Sequence, residues 1–252
     1  MTNNYFGIDF GTTNSIATVV VKNENQEWSA TPLLERGRPH PSVIWYKASE
    51  TIVGQEARNN MDLTSEGTPP GFVRSPKMSL RRDGPIYVDG RAIDPKEAVA
   101  EVLSHIKNHA IKSNQKYDIM QAVMTIPVDF GGKERRALRN AASKAGIAIT
   151  KFVHEPVSAL YAYLRAKENL ERELAELDGR LVLVFDWGGG TLDLTLCKIQ
   201  GGSIMQIKNL GDNDIGGDKF DSKLRNLVRE KHAKIHGIKD IRAYETPGAA
   251  AK

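Results

Sequence analysis

The chain has 252 residues, with 35 Lys+Arg against 31 Asp+Glu and a formal net charge of +4. Its 40% hydrophobic and 26% charged residues exclude global disorder, and its length fits one to two domains, enough to bury an enzyme core. The single cysteine, Cys197, excludes an internal disulfide. Apolar runs such as residues 181–185 are far too short to span a bilayer. The N-terminus MTNNYFGIDF lacks the basic and apolar regions of a secretory signal. A soluble, cytoplasmic protein without a membrane partner is expected.

In chain order, residues 6–9 and 15–21 read as two strands around the turn Gly11-Thr12-Thr13-Asn14. Residues 42–46 and 52–54 suggest short strands, and residues 62–76, rich in Gly, Pro, Ser and Thr, suggest a loop. Asp94-Pro95-Lys96-Glu97 combines a cap, a proline at the first helical position and an acid in the first turn. The helix that follows places Val99, Val102, Leu103, Ile106 and Ala110 on one side. Residues 121–126 form a strand ending at Pro127. Gly131-Gly132 opens a helix through Lys144, with Gly146 as its stop. Pro156 begins another, with Val157, Leu160, Tyr161 and Leu164 at helical spacing and a charged extension over residues 165–177. Residues 181–185 read as a buried-type strand, and 192–199 as a second strand after a glycine-rich turn. A last helix is expected over residues 219–235, and residues 246–252 as a disordered end.

The positive charge is local. Residues 219–242 carry eight Lys/Arg against three Asp/Glu, so the rest of the chain is close to neutral. That concentration, with no aromatic-basic interleaving, argues against a nucleic-acid partner. No H-E-x-x-H motif or paired metal spacing stands out, so surface or satisfied core roles are expected for the histidines. Cys197, in an apolar strand, reads as a buried core thiol.

One internal echo carries chemistry. Residues 6–13, FGIDFGTT, and 184–191, VFDWGGGT, each give an apolar strand, an aspartate at its end, glycine, then a hydroxyl residue and a second strand. The two aspartates, Asp9 and Asp186, lie 177 positions apart, which suits two related halves of one protein. Glycines let backbone N–H groups approach phosphate oxygens, threonines add hydroxyl donors, and a strand-terminal aspartate can hold magnesium or its waters. One such turn is an ordinary hairpin as readily as a phosphate cradle; the matched pair favours a polyphosphate gripped from both sides. Neither turn is a Walker loop or a Rossmann fingerprint, since each leads into a strand.

The segments GIDFGTTNS (7–15), AVMTIPVDF (122–130), HEPVSALYAYL (154–164), LVFDWGGGTLDLTL (183–196) and GDNDIGGDKFD (211–221) resemble the N-terminal ATPase domain of the seventy-kilodalton heat-shock chaperones of the DnaK type. The resemblance is collinear from Tyr5 to about Arg229. It implies an α/β, actin-like (ribonuclease H-like) fold, with residues 1–178 as the first lobe and 179–245 as part of the second. It implies ATP or ADP with Mg2+ as ligands, K+ as an optional further cation, and hydrolysis to ADP and phosphate. Gly11, Thr12, Thr13 and Asn14 would form one phosphate turn and Gly188, Gly189, Gly190 and Thr191 the other. Asp9 and Asp186 would organise the metal, and Lys77, Glu155, Asp193 and Thr191 would join Asp186 in catalysis. Lys77 stands in RSPKMSL, which departs from the family's wording, as Asn213 and Asp214 do in GDNDIGG.

Pro127 and Arg135 match the pair that couples nucleotide state to the substrate domain. Read locally, they are a strand end and a solvated helix residue, Glu155 an acidic helix start, and Asp193 a polar strand position. Implied partners are client peptides bound through a domain absent from this chain, a J-domain co-chaperone and a nucleotide-exchange factor. The family's adenosine-binding subdomain has no counterpart either, so exposed apolar surface and weakened nucleotide affinity are expected. The alternative is a non-cycling remnant or adaptor; a sugar kinase of the same fold is disfavoured by HEPVSAL.

Overall fold

The computed structural model describes residues 4–22, 27–61, 69–167, 169–212 and 215–237. Strands β1 (Tyr5–Phe10) and β2 (Asn14–Lys22) pair antiparallel around the 11–13 turn, and β3 (Trp28–Leu33) pairs with β2 in turn. The short β4 (His40–Pro41) sits against the start of β2, matching Ser15 to His40. A second small sheet follows from β5 (Val43–Tyr46), β6 (Thr51–Val53) and, after α1 (Gln55–Met61), β7 (Phe72–Arg74). Next come the one-turn helix α2 (Pro76–Ser79) and the hairpin β8 (Ile86–Val88) and β9 (Arg91–Ile93).

Helix α3 (Pro95–Ser113) starts as its sequence dictates. The Asp94 side chain accepts a hydrogen bond from the Lys96 backbone N–H at 2.9 Å, and Pro95 takes the first position, where no donor is needed. Val99, Val102, Leu103, Ile106 and Ala110 are all fully buried in the main core. Strand β10 (Gln121–Ile126), helix α4 (Gly132–Lys144) and strand β11 (Ala148–His154) form a strand–helix–strand unit. Its strands run parallel to each other and to β1, giving the order β11-β10-β1-β2-β3. Gly146, in the left-handed region at φ 69°, ends α4 with Gly146 N–H bonded to Ser143 O and Ile147 N–H to Ala142 O.

Helices α5 (Glu155–Arg165) and α6 (Leu170–Glu176) join this first sheet to a second, the antiparallel meander β12 (Leu181–Trp187), β13 (Leu192–Gln200) and β14 (Ser203–Asp212). Leu160 and Leu164 of α5 pack with Cys197 and Ile199 of β13, and Leu170, Leu174, Val182 and Val184 close that cluster. Burial raises the Cys197 thiol pKa, as expected of a core thiol. Helix α7 (Gly217–His236) ends the described chain, and among the described residues no helix is long and apolar enough to cross a membrane.

Several local expectations need correction. Residues 69–76 are not simply loop, since β7 and the start of α2 lie there, while 62–68 fall outside the described residues. The charged extension of α5 is a separate helix, because the Asn169 side chain caps the Arg172 N–H and restarts the chain. Tyr161 points outward, half exposed. The segment 246–252 lies outside the described residues.

The largest correction concerns β12. It is buried on one face only: Leu181, Leu183, Phe185 and Trp187 alternate outward, each close to 60% exposed. Leu210 of β14 joins the same open face through its pairing with Leu194, and α7 adds exposed Phe220, Leu224, Leu227 and Val228 at helical spacing. The expected apolar exposure is therefore present, on a face that nothing in the described residues covers. The double substitution Leu183→Lys/Phe185→Lys should leave stability within about 0.5 kcal/mol per site, as surface changes do, while lowering binding of the apolar dye ANS. Loss of several kcal/mol in a urea titration would instead show that this face is packed.

Candidate phosphate and metal site

The two glycine turns face each other. A Cβ placed on Gly190 would stand 3.4 Å from the Thr12 methyl and 3.0 Å from the Met78 sulfur. The first turn, Gly11-Thr12-Thr13, links β1 to β2, and Asn14 opens β2. Gly11 is required there, because a Cβ would meet the Asn14 carbonyl oxygen at 2.1 Å. A buried serine pair fixes the turn. Gly11 N–H donates to Ser15 Oγ, Ser15 lies 2.9 Å from Ser42 Oγ, and Ser42 Oγ donates to Gly11 O at 2.9 Å. Ser42 spends its proton on that carbonyl, so Ser15 donates to Ser42. Ser42 N–H also donates to Thr13 O.

The second turn, Gly188-Gly189-Gly190-Thr191, joins β12 to β13 and is closed by Gly188 N–H donating to Thr191 O at 2.9 Å. Gly217 N–H, in the first turn of α7, donates to Gly188 O and seats the helix on it. Thr191 Oγ1 donates to Asp193 Oδ2 at 2.9 Å.

Below the turns, carboxylates converge from four elements. Asp9 leaves the end of β1 and accepts from Thr125 Oγ1 at 2.5 Å. Asp186 and Asp193 are directly paired across β12 and β13. Glu155 is the first residue of α5, and its carboxylate meets Lys77 Nζ at 2.5 Å. Lys77 is 3% exposed and rises from α2, which the unresolved wording of RSPKMSL did not reveal as a helix. Its ion pair with Glu155 places it among the site residues.

The charges act on one another. Burial pushes the Glu155 pKa up, Lys77 opposes this, and the charges of Asp9 and Asp186 reinforce it. Burial also raises the Asp186 pKa, helped by Asp193 and Asp9 and opposed by Lys77. Lys77 thus acts on both Glu155 and Asp186, while Asp193 also acts on the Arg81 guanidinium. The hard oxygen donors of these carboxylates, beside two facing turns, fit a magnesium–polyphosphate group, with Asp9 and Asp186 as the residues that would hold the metal or its waters.

Pro127 and Arg135 belong to a neighbouring set of contacts. Pro127 is buried at the end of β10, and its carbonyl accepts from Phe130 N–H. Arg135 is more than a solvated helix residue: Nε donates to Phe130 O at 2.8 Å and Nη2 to His154 Nε2 at 3.1 Å. His154 therefore carries its proton on Nδ1, which donates to Gln206 Oε1 at 2.7 Å, so a polar chain runs from α4 to β14. The Phe130 ring lies 5.8 Å from Lys77 Nζ and 5.1 Å from the Arg81 guanidinium, which forms a forked ion pair with Asp129. Phe130 thus links Arg135 to the lysine.

Ser15, Ser42, Thr125, Arg81, His154 and Gln206 escape motif reading, because their partners are distant in sequence; Ser15 and Ser42, for example, are 27 positions apart. Asn213 and Asp214 fall outside the described residues.

A family model described as Hsp70 protein matches residues 5–75 and 77–247. Chaperone protein DnaK of Thermotoga petrophila is 34% identical over 237 residues, covering 94% of this chain and 37% of its own length. The DnaK proteins of Thermotoga maritima and Thermotoga neapolitana match to the same extent. The chain therefore spans 37% of the length of these curated relatives.

Ser42→Ala would strand Gly11 O and remove the Ser15 acceptor in a dry setting. Each unsatisfied buried group costs about 1–3 kcal/mol, so urea denaturation should show a loss in that range, with weaker phosphate binding at the turn. An unchanged midpoint would show that the serine pair does not brace the turn.

Proposed function

Because the chain belongs to the Hsp70 family, we propose that it is the nucleotide-binding, ATP-hydrolysing region of a DnaK-type chaperone. It would be built on an actin-like fold, with residues 1–178 in the first lobe and 179–245 in part of the second. The single observation that supports this most is that two facing glycine turns stand beside a cluster in which buried Lys77 pairs with Glu155 and acts on Asp186.

The chemistry follows from those positions. Backbone N–H groups of the two turns other than those of Gly11 and Gly188, which are already bonded, would meet the β- and γ-phosphate oxygens together with the Thr12 and Thr13 hydroxyls. Gly190 lets the turns close on them without a side chain between. Phosphoryl transfer to water passes through a loose transition state, so positioning and charge stabilisation supply most of the catalysis. Lys77 offers its ammonium to the transferring group, and Glu155 fixes that ammonium. Glu155 and Asp193 offer oxygens that orient the attacking water, and Thr191 holds Asp193 in place through its hydroxyl. Magnesium, when bound, neutralises phosphate charge; Asp9 and Asp186 are the residues that would hold it or its waters.

The Arg135–His154–Gln206 chain ties the phosphate side to β14, which supports Pro127 and Arg135 as coupling residues. Client peptides, a J-domain co-chaperone and a nucleotide-exchange factor are the partners proposed for the whole protein, acting in the cytoplasm.

Two measurements test this reading. Calorimetric titration should give saturable binding of Mg-ATP, and no heat beyond that of dilution would contradict the site. In a single-turnover phosphate-release assay, Lys77→Ala should slow release on the order of 10²–10³-fold, as loss of one preorganised phosphate contact does. An unchanged rate would remove Lys77 from the reaction. A folded chain that binds Mg-ATP without releasing phosphate would instead support the non-cycling alternative.

A further inference from the structure

The histidines do not stay in bland roles. His105 and His109 are one helical turn apart on α3, His232 and His236 one turn apart on α7, and two of the histidines converge on a glutamate. His40 of β4, His105 of α3 and Glu35 of the β3–β4 turn each direct one donor atom into a common space, all within 4.8 Å of one another. His40 Nδ1 lies 3.4 Å from Glu35 Oε2, and His105 Nε2 lies 3.1 Å from the same oxygen.

Three features suit this cluster to a metal ion. His40 is fully buried, and its Nε2 lies 3.0 Å from the Leu33 carbonyl. A carbonyl only accepts, so Nε2 carries the proton, and in the neutral ring Nδ1 presents a lone pair to a carboxylate oxygen. Two lone pairs then face each other unless a proton, which would make the ring an imidazolium, or a metal cation stands between them. Second, His40 Nδ1 and His105 Nε2 are both buried atoms without a hydrogen bond of acceptable geometry, despite their nearness to Glu35. Third, the space is kept open by Gly54. A Cβ there would stand 2.4 Å from His105 Nε2 and 2.7 Å from Glu35 Oε2, and its φ of +76° already favours glycine.

We propose that Glu35, His40 and His105 form a zinc-class transition-metal site that clamps β4 to α3. Tetrahedral zinc binds imidazole nitrogen and carboxylate oxygen at about 2.0–2.2 Å, so neighbouring ligands stand roughly 3.3–3.5 Å apart. The spacings of 3.4 and 3.1 Å at Glu35 Oε2 are close to that edge. Two imidazoles and one carboxylate are a borderline donor set, suited to zinc and unsuited to magnesium or calcium. The fourth position is left to water, reached past the side chain of His105, which is 23% exposed. His109 stacks edge-on against His40 at 5.1 Å between ring centres and frames the site without joining it. Since His40 pairs with Ser15, and Ser42 two residues later braces Gly11, the clamp lies directly behind the first phosphate turn.

Zinc binding by the whole chain tests this. His232 and His236, with ring centres 4.3 Å apart on exposed α7, could hold metal on their own, so the background is His232→Ala/His236→Ala. After chelator treatment, calorimetric titration with zinc chloride should give one ion per chain. Cobalt(II) in its place should show the absorption bands of a four-coordinate nitrogen–oxygen site. His105→Ala, at a partly exposed position and with its fold checked by circular dichroism, should weaken zinc binding at least about tenfold and erase those bands. His40→Ala should do the same where it folds. No zinc uptake in the background chain, or uptake unchanged by His105→Ala, would overturn the proposal.

Discussion

One buried ammonium organises the candidate site. Lys77, from a helix of a single turn, reaches Glu155 at the start of α5, with Asp9, Asp186 and Asp193 in the same electrostatic neighbourhood. Burying a lysine is costly unless it is paired, and here it is paired with one of several carboxylates that repel one another. Burial and mutual repulsion hold the Glu155 and Asp186 pKa values up, which is the signature of a place short of a cation. Magnesium, when bound, would bring the positive charge, and a polyphosphate would bring acceptors for the remaining backbone donors of the turns.

The rest of the structure brings these groups together. β1, β12 and β13 deliver aspartates at or beside strand ends, because the parallel and antiparallel sheets each finish at a glycine turn. Helix α5 presents Glu155 to the cluster at its first residue and buries Leu160 and Leu164 against the second sheet, so one helix positions an acid and joins two layers. The opposite face of that second sheet, led by Leu183, Phe185 and Trp187, is solvent-exposed.

Much of this was legible in the sequence where physics is local. The cap and proline of α3, its five core positions, and the span of α4 with its Gly146 stop follow from propensity and periodicity. The paired strand–Asp–Gly–Thr turns point to the same two facing glycine turns that the fold brings together. Long-range partners were not legible. β12 reads as buried by composition, yet its alternation is apolar on both faces, and only the packing in three dimensions shows which residues are exposed. Lys77 could be placed only by family resemblance, because nothing near it in sequence announces Glu155, 78 positions away. The Glu35–His40–His105 cluster was overlooked for the same reason: β4 and α3 meet only in three dimensions.

The central claim is that the facing turns bind the phosphates of the nucleotide. Phosphorus-31 NMR of Mg-ATP titrated with this chain reads it most directly. The β- and γ-phosphate signals should broaden or shift with the wild-type chain and not with Gly190→Val, whose side chain would fill the gap toward Met78 and Thr12. Phosphate signals that stay unperturbed, or that respond equally to both proteins, would contradict it.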